Sequence, residues 1–297
     1  MDGIEHPARL DVGIIGAGRV GAVLGAALAR AGHRITGVYA VSDASRRRAA
    51  DLLPEAPIRD VPAVLDAAEL VVLAVPDDVL ASLVQGLATA GHWTAGQVVV
   101  HTSGRHGVRI LDPVLAAHAL PLALHPAMTF TGTAMDVDRL RDAAFGVTAA
   151  DELRPLAEAL VLDMGGEPVW IAEEDRTAYH AALAHGANHL TTLLAQASDI
   201  LRAAGVERPD HVLRPLVSAA LDNALRLGDA ALTGPVSRGD VGTVRDHLRE
   251  LDRIAPDIKG TYVALARATA LRAMDSGRLR PAAAEPLLDI LADQEQP

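Results

Sequence analysis

The sequence predicts an α/β protein with a doubly wound parallel sheet, followed by an all-α second domain. Three observations support this prediction. The length of 297 residues is enough for two domains, each with its own core. Short apolar runs alternate with helical stretches through the first half, which is typical of parallel sheets with crossover helices. Beyond residue 171 the pattern is helical only, so we predict domains at 8–171 and 172–297.

The predicted strands of the first domain are mostly continuous apolar runs, as expected for strands buried on both faces of a sheet. Strands are expected at 10–15, 35–40, 70–75, 97–101, 121–125, 145–148 and 168–171. Helices are expected at 20–31, 46–53, 62–68, 79–90 and 151–162. The second domain should begin with one long alanine-rich helix over 174–204. Further helices are expected at 209–227, 241–254, 259–276 and 281–294.

The composition excludes several classes of function. The chain has no cysteine, so it forms no disulfides, thiolate zinc sites or cysteine nucleophiles. A net charge of −11 repels nucleic acid and anionic membranes, so neither is an expected partner. No apolar run is long enough to span a bilayer, and residues 1–9 do not resemble a signal peptide. We therefore expect a cytoplasmic protein that acts on a small molecule.

A glycine-rich loop, Gly16-Ala17-Gly18-Arg19-Val20-Gly21, follows the first predicted strand. Gly16 permits a tight turn, Gly18 lets the backbone approach a diphosphate, and Gly21 allows close packing of the next helix on the sheet. The amino terminus of that helix, from Arg19 and Val20 onward, presents N–H groups and partial positive charge. The position between a strand and a helix is the context that a dinucleotide-binding loop of the Rossmann type requires.

The end of the second strand favours NADP over NAD. NAD-binding domains carry an acidic residue about 20 residues after the glycine loop, where it accepts from the ribose hydroxyls. The expected position falls on Ala40, while Ser42 and Arg46 could donate to a 2′-phosphate. Two alternatives stay open. Asp43 could serve as the ribose acid of an NAD site, and the arginines from Arg46 onward could form an ordinary solvated helix face.

Three further strand ends should outline the nicotinamide pocket, because ligands of such sheets bind at the carboxyl ends of the strands. The residues expected there are Val75, Pro76, Thr102, Ser103 and His125. We assign His125 to the substrate and the other four to the cofactor. His101 and His125 could instead be hydrogen-bonded structural residues at the strand ends.

The loop at 16–21 and the segments 73–78 and 101–104 resemble the 6-phosphogluconate dehydrogenase-like superfamily. Members of this superfamily join a Rossmann domain to an all-helical domain. The match extends over nearly the whole chain. More narrowly, the chain resembles Rossmann-like proteins with a helical domain of unassigned function, some of them related to ketopantoate reductases. The narrower likeness rests on the segments 125–130, 179–182 and 232–240 and on Asn188.

The resemblance implies candidate catalytic residues on the first long helix of the second domain. Ketopantoate reductases place there a lysine that donates a proton and an asparagine that holds the substrate. Asn188 fits the asparagine, and His180, eight residues earlier, would share its helix face. The helix contains no lysine, so His180 or His185 is the expected replacement, and Tyr179 is a further candidate donor.

A later loop should contact the substrate. Ser237 and Asp240 fall where ketopantoate reductases place a substrate-binding serine and an acidic residue, and Arg238 suits a carboxylate. Asp240 could equally cap the following helix. His185 and His189 have the spacing of a metal pair, but no third ligand is evident, so we predict no metal site.

These inferences predict an NADPH-dependent reductase of a small carbonyl compound, most simply a 2-oxo acid such as ketopantoate. One alternative is an imine reductase of the pyrroline-5-carboxylate reductase type, for which a missing lysine would matter less because the imine arrives protonated. Another alternative is a non-catalytic NADP(H) sensor that binds a partner protein. The resemblance also implies a homodimer.

Overall fold

The computed structural model of the protein describes residues 9–292. It divides into two compact units, Met1–Ala187 and Asn188–Pro297. Residues 1–8 and 293–297 lie outside the described part. The predictions about a signal peptide, the first residue of the first domain and the last residues of the final helix fall at least partly on those segments.

The first unit is built on one seven-stranded sheet with strand order β2-β1-β3-β4-β5-β6-β7. The strands are β1 (Asp11–Ile15), β2 (Arg34–Tyr39), β3 (Leu70–Leu73), β4 (Val98–His101), β5 (Leu120–Pro126), β6 (Ala144–Thr148) and β7 (Glu167–Trp170). All seven overlap the predicted positions. The doubly wound α/β prediction is confirmed.

One strand departs from the predicted parallel sheet. β5 and β6 pair antiparallel, with His125 opposite Gly146, whereas all other neighbours in the sheet run parallel. The connection from Pro126 to Ala144 contains only a short helix and does not carry the chain back to the end of the sheet where β5 begins. The chain therefore enters β6 at the same end of the sheet at which β5 finishes, so β6 runs in the opposite direction to β5.

Helices cover both faces of this sheet. They are α1 (Arg19–Arg30), α2 (Asp43–Leu52), α3 (Val61–Asp66), α4 (Asp77–Thr89), α5 (Asp112–Leu115), α6 (Ala134–Arg139), α7 (Arg154–Asp163) and α8 (Arg176–Leu183). Two apolar clusters fill the layers, one under α1 and α7 and one under α3, α4 and α5. The sequence did not predict α5 and α6, because helices this short show no hydrophobic period.

The long helix predicted at 174–204 is not continuous. After α8 the chain makes a π-helical turn, Ala184–Asn188, and then continues as α9, His189–Ala203. Gly186 lies inside this turn, where it weakens regular α-helical geometry. The prediction that His180 and Asn188 share a helix face assumed unbroken α-helical spacing, so that argument was wrong over 184–188.

The division between the units falls in the π-helical turn, later than the predicted boundary after residue 171. α8 belongs to the first unit because its side chains bind the sheet. Arg176 donates to the carbonyl oxygens of Ala123 and Gly146, and Tyr179 is hydrogen-bonded to His125 of β5.

The second unit contains helices only, within the part that the structure describes. After α9 come α10 (Pro209–Leu227), α11 (Pro235–Arg238), α12 (Val241–Ile254), α13 (Pro256–Asp275) and α14 (Pro281–Ala292). Its core lies between α12, α13 and α14 and is rich in alanine, valine and leucine. This agrees with the predicted all-α second domain. Within residues 9–292, none of the helices is both long and apolar enough to cross a bilayer.

Candidate cofactor and active site

The glycine loop between β1 and α1 shows a different constraint at each glycine. Gly16 has a φ of +103°, and a Cβ there would overlap the carbonyl of Ala74. A Cβ at Gly21 would overlap the carbonyl of Gly16. A Cβ at Gly18, by contrast, would meet nothing within 4 Å. The fold itself therefore needs Gly16 and Gly21, while the open space at Gly18 fits the close approach of a diphosphate.

The amino terminus of α1 adds donors to this open space. Gly18 is the N-cap, no side chain caps the helix, and its first turn carries no acidic residue. Arg19 is the first helical residue and is exposed, whereas Val20 packs partly against the core. The Gly16 and Ala17 amides donate to the carbonyl oxygen of Tyr39, which ties the loop to β2. A helix end with free N–H groups and nearby positive charge suits an anion.

The segment after β2 brings hydroxyl and guanidinium groups beside the loop. Ser42 caps α2 by accepting from the amide of Ser45 at 3.1 Å. Arg46 Nε donates to the carbonyl oxygen of Ala40 at 3.4 Å. Arg48 Nη1 donates to the carbonyl oxygen of Ala17 at 3.4 Å, which places a second guanidinium on the loop. From the sequence, Arg46 is the expected donor and Arg48 counts only as part of the same basic run.

The ends of β3 and β4 form the next part of the site. The Val75 side chain lies beside Gly16, and Pro76 precedes α4. The Thr102 amide donates to the carbonyl oxygen of Leu73, and Ser103 is buried.

His101 is a structural residue at the end of β4. Its Nδ1 accepts from the amide of Ser103 at 3.1 Å, and its Nε2 donates to the carbonyl oxygen of Gly107 at 2.8 Å. Burial lowers the pKa of His101 to about 4. Both ring nitrogens are occupied, so the structural interpretation of this histidine is confirmed.

Three rings, His125, Tyr179 and His180, form what we call the ring cluster. His125 Nδ1 lies 2.9 Å from the Tyr179 hydroxyl, and the two ring planes are nearly perpendicular at 88°. The His180 ring is also perpendicular to His125, with ring centres 6.2 Å apart. Glycines make room for the cluster. A Cβ at Gly104 would stand 2.6 Å from His180 Cδ2, and one at Gly146 would stand 2.6 Å from the Tyr179 hydroxyl.

A buried cation lies beneath the ring cluster. Arg176 is 1% exposed and donates to Thr148 Oγ1 and to the carbonyl oxygens of Ala123 and Gly146. Its Nη1 is buried without a hydrogen-bond partner. Across the described residues no carboxylate forms a salt bridge with it, and burial lowers its pKa to about 10. Arg176 was not among the site residues predicted from the sequence. The available signal was a basic residue in the first turn of a helix, where the helix dipole disfavours it.

The electrostatics of the cluster leave a neutral imidazole beside a protonated phenol at neutral pH. Burial lowers the pKa of His125 to about 4, and the Arg176 and His180 charges act in the same direction, while Asp77 opposes them. Burial raises the pKa of Tyr179 against the opposing effects of Arg176 and the Gly146 amide. The Tyr179 phenol therefore keeps its proton, and the His125 imidazole is uncharged. A neutral imidazole has one nitrogen that donates a hydrogen bond and one that accepts.

The remaining predicted site residues lie in or next to the second unit. His185 lies in the π-helical turn, and Asn188 is the first residue of the second unit. Ser237 is buried and donates to the carbonyl oxygen of Gly234, while Arg238 ends α11. Asn188, Ser237 and Arg238 therefore belong to a different unit from the ring cluster, whereas His185 belongs to the same unit.

Asp240 caps α12. It accepts from the Thr243 amide at 3.1 Å and from the Thr243 hydroxyl at 2.8 Å. These hydrogen bonds lower its pKa. The capping interpretation is confirmed. In the described part of the chain, no three acidic or histidine side chains come together as a metal-binding group.

Comparisons with known proteins match the two halves of the chain to different families. Residues 2–126 match a Rossmann-like domain, and residues 143–269 match a domain of unknown function (DUF2520). No protein of curated function matches the sequence.

Solved structures are similar over most of the chain. A candidate NADP oxidoreductase from Bacteroides fragilis has a TM-score of 0.73 at 24% identity, covering 88% of this chain and 98% of that one. A reductive aminase from Aspergillus terreus, in complex with NADPH and ethyl levulinate, has a TM-score of 0.64 at 18% identity, covering 97% and 100%. A pyrroline-5-carboxylate reductase from Coxiella burnetii has a TM-score of 0.54 at 16% identity, covering 90% and 98%. At these identities the likeness establishes the fold, which is a mostly parallel Rossmann-type sheet followed by a helical region.

Proposed function

We propose that the protein is an NADP(H)-dependent reductase of a small carbonyl compound. The observation that supports this most directly is the ring cluster, which lies at the carboxyl end of β5 in the same sheet as the glycine loop. In doubly wound sheets this edge is where the cofactor and the substrate meet. His125 and Tyr179 offer neutral hydrogen-bond donors, which the reduction of a carbonyl group needs when its oxygen becomes an alkoxide.

The choice of NADP over NAD rests on the residues after β2. Ser42, Arg46 and Arg48 supply hydroxyl and guanidinium groups where a 2′-phosphate would bind, and Ala40 occupies the place of the acid that would repel it. Asp43 lies in the first turn of α2, where the helix dipole stabilises a carboxylate. Two of the similar structures are described as an NADP oxidoreductase candidate and an NADPH complex, which supports the same choice.

In the proposed reaction, bound NADPH supplies a hydride. The chain's contribution is to position and polarise the substrate and to deliver a proton. The sequence-based candidates for the proton are His180 and His185, and the candidate for orienting the substrate is Asn188. For substrate contacts the candidates are His125, Ser237, Arg238 and Asp240. Because Asp240 already caps α12, we expect Arg238 to be the main carboxylate-binding group of that loop.

The substrate is proposed to be a 2-oxo acid such as ketopantoate, as the resemblance to ketopantoate reductases implies. A specific observation favours a second candidate, an imine. The similar structures include a reductive aminase and a pyrroline-5-carboxylate reductase, and their descriptions name chemistry at carbon–nitrogen bonds.

Two measurements test the proposal. The first is titration of the purified protein with NADPH and with NADH, for which we expect at least about tenfold tighter binding of NADPH, equal to about 1.4 kcal/mol. The second is NADPH oxidation with ketopantoate, other 2-oxo acids and cyclic imines, against a control without protein. Turnover of the carbonyl compounds is the expected result. Turnover of the imines alone would establish the second candidate, and tight NADPH binding without any turnover would favour the non-catalytic sensor.

A further inference from the structure

We propose that His125 is the proton donor of the reduction, and that Tyr179 resupplies it through the hydrogen bond to Nδ1. This inference rests on the proposed reductase function and extends it to the proton path and the class of substrate. It also moves the donor from His180, the residue that the sequence pointed to, to a residue on the sheet.

The tautomer of His125 follows from its neighbours. Within residues 9–292, His125 Nδ1 is the one hydrogen-bond partner that the structure gives the Tyr179 hydroxyl, 2.9 Å away, so we infer that the phenol proton points at Nδ1. A neutral imidazole that accepts at Nδ1 must carry its proton on Nε2. The pKa of His125, about 4, ensures that the ring is neutral at the pH of the cell.

The Nε2–H group is available for a substrate. Within residues 9–292 the structure gives it no acceptor, and it is not among the buried atoms that lack a partner. It faces Gly104, where a Cβ would stand only 2.9 Å from Nε2. The same Cβ would stand 2.6 Å from His180 Cδ2, so a residue with a side chain would collide with both rings at this position. A half-buried donor without a partner at this edge of the sheet fits the oxygen of a bound carbonyl group.

The proton transfer balances without a further reagent. As hydride adds to the carbonyl carbon, the substrate oxygen takes the proton from Nε2, so that one N–H bond breaks and one O–H bond forms. The Tyr179 proton moves to Nδ1, which leaves a neutral imidazole in its other tautomer and a phenolate. After the product leaves, a proton from water restores the phenol and the original tautomer.

Arg176 provides the charge that this transient phenolate needs. The guanidinium is buried without a carboxylate partner and lies 5.9 Å from the centre of the Tyr179 ring. Glu173 favours the Arg176 charge without forming a salt bridge with it, and a phenolate that forms at Tyr179 during the reaction would be stabilised by the same buried cation. Asp77 and His180 are the other charged or titratable groups that act on His125.

The proton path specifies the class of substrate. An alkoxide must gain a proton, whereas the nitrogen of an imine arrives protonated and needs none. Loss of His125 or Tyr179 should therefore slow the reduction of a carbonyl compound far more than that of an imine. We accordingly assign the site to carbonyl substrates.

The first test uses the free protein and does not depend on turnover. In ¹⁵N NMR spectra of histidine-labelled protein, His125 is expected to be in the Nε2–H tautomer at neutral pH. The Tyr179→Phe variant should shift it to a mixture of tautomers. Tyr262→Phe is a matched control, because Tyr262 forms a similar pair with His247 at 2.8 Å in the second unit. An Nδ1–H tautomer in the unmodified protein would overturn the proposal.

The second test measures single-turnover reduction of a 2-oxo acid. General acid catalysis is worth about 10²- to 10⁴-fold, so His125→Asn should lose about that much in rate while NADPH binding is unchanged. Tyr179→Phe should lose at least about tenfold and should also lose the fall in rate at high pH that deprotonation of Tyr179 causes. Tyr262→Phe should react like the unmodified protein.

The failures of the two proposals are distinguishable. If the unmodified protein reduces carbonyl compounds and His125→Asn does so equally fast, only the proton path is wrong, and a large effect of His180→Asn would return the role to His180. If the unmodified protein reduces nothing with NADPH, the reductase function is wrong and the proton path falls with it.

Discussion

The three glycines of the nucleotide loop differ in what a methyl group would meet. At Gly18 it would meet no protein atom, so Gly18→Ala should change the free energy of unfolding by no more than about 1 kcal/mol, the cost of a poorer N-cap. The same methyl group would block a diphosphate. We expect NADPH binding to weaken at least about tenfold, measured by titration.

Gly21→Ala is the matched comparison. Its methyl group would overlap the carbonyl of Gly16, so it should destabilise the protein itself by more than about 2 kcal/mol in urea unfolding. If Gly18→Ala bound NADPH normally, the proposed place of the diphosphate would be wrong.

His101 should make the stability of the protein depend on pH. Its pKa is about 4 in the folded protein and near 6.5 when unfolded, so the unfolded chain binds the proton more readily. Stability should therefore fall as the pH drops through 6.5 towards 4, with His101 contributing about 2 kcal/mol between about pH 7.5 and about pH 5. Urea unfolding at several pH values measures this. His101→Asn should flatten the profile, and an unchanged slope would contradict the assignment.

At the scale of residues, the sequence predicted residues whose role depends on local backbone geometry. It missed residues whose role depends on burial among groups that are distant in sequence. The glycine loop could be read directly, because its spacing reflects a local turn. Arg176 could not, because its role depends on Ala123 and Gly146, which are distant in sequence. Asn188 and His180 were predicted to be neighbours from regular helix geometry, which the π-helical turn interrupts.

At the scale of elements, the packing of α8 against β6 can be tested by substitution. Gly146 of β6 has no side chain, and the Tyr179 ring of α8 occupies that space. Gly146→Ala should push the ring away from His125, so we expect carbonyl reduction to slow at least about tenfold while NADPH binding is retained. Gly86→Ala in α4, where a Cβ meets nothing within 4 Å, is the control and should not affect the rate. Equal rates of carbonyl reduction in the two variants would show that the packing of Tyr179 against Gly146 does not affect the reaction.

The helix α10 presents an unusual apolar surface. Val212, Leu216, Leu221 and Leu225 are all exposed, and Leu225 is 80% exposed. We propose that a second copy of the chain covers this surface, in line with the homodimer that the resemblance implies. Leu216→Glu with Leu225→Glu should then convert a dimer to a monomer in light scattering after size exclusion. Asp222→Lys, on the same helix, serves as a control. A monomeric unmodified protein would contradict the proposal.

Elements with a strong local pattern were predictable and those set by connections were not. The seven strands were found from apolar runs, and α10 and α12 were predicted at their observed bounds. The antiparallel direction of β6 depends on how the chain from Pro126 returns to the sheet, which no local pattern encodes. The short helices α5 and α6 also lack a detectable period.

For the whole molecule, the order of elements was enough to predict a doubly wound sheet followed by helices, because alternation of strands and helices restricts the possible topologies. The sequence placed the domain boundary before α8, whereas the structure keeps α8 with the sheet. That difference matters for function, because it assigns Tyr179 and His180 to the unit that contains the glycine loop.

The central claim is that this chain transfers hydride from NADPH to a small carbonyl carbon. The most direct measurement uses NADPH that carries deuterium at the transferring position, together with a panel of 2-oxo acids that includes ketopantoate. Mass spectrometry of the products should find the corresponding 2-hydroxy acid with one deuterium on carbon, and none when the protein is omitted. If the protein binds NADPH but no carbonyl product carries the label, the claim is contradicted.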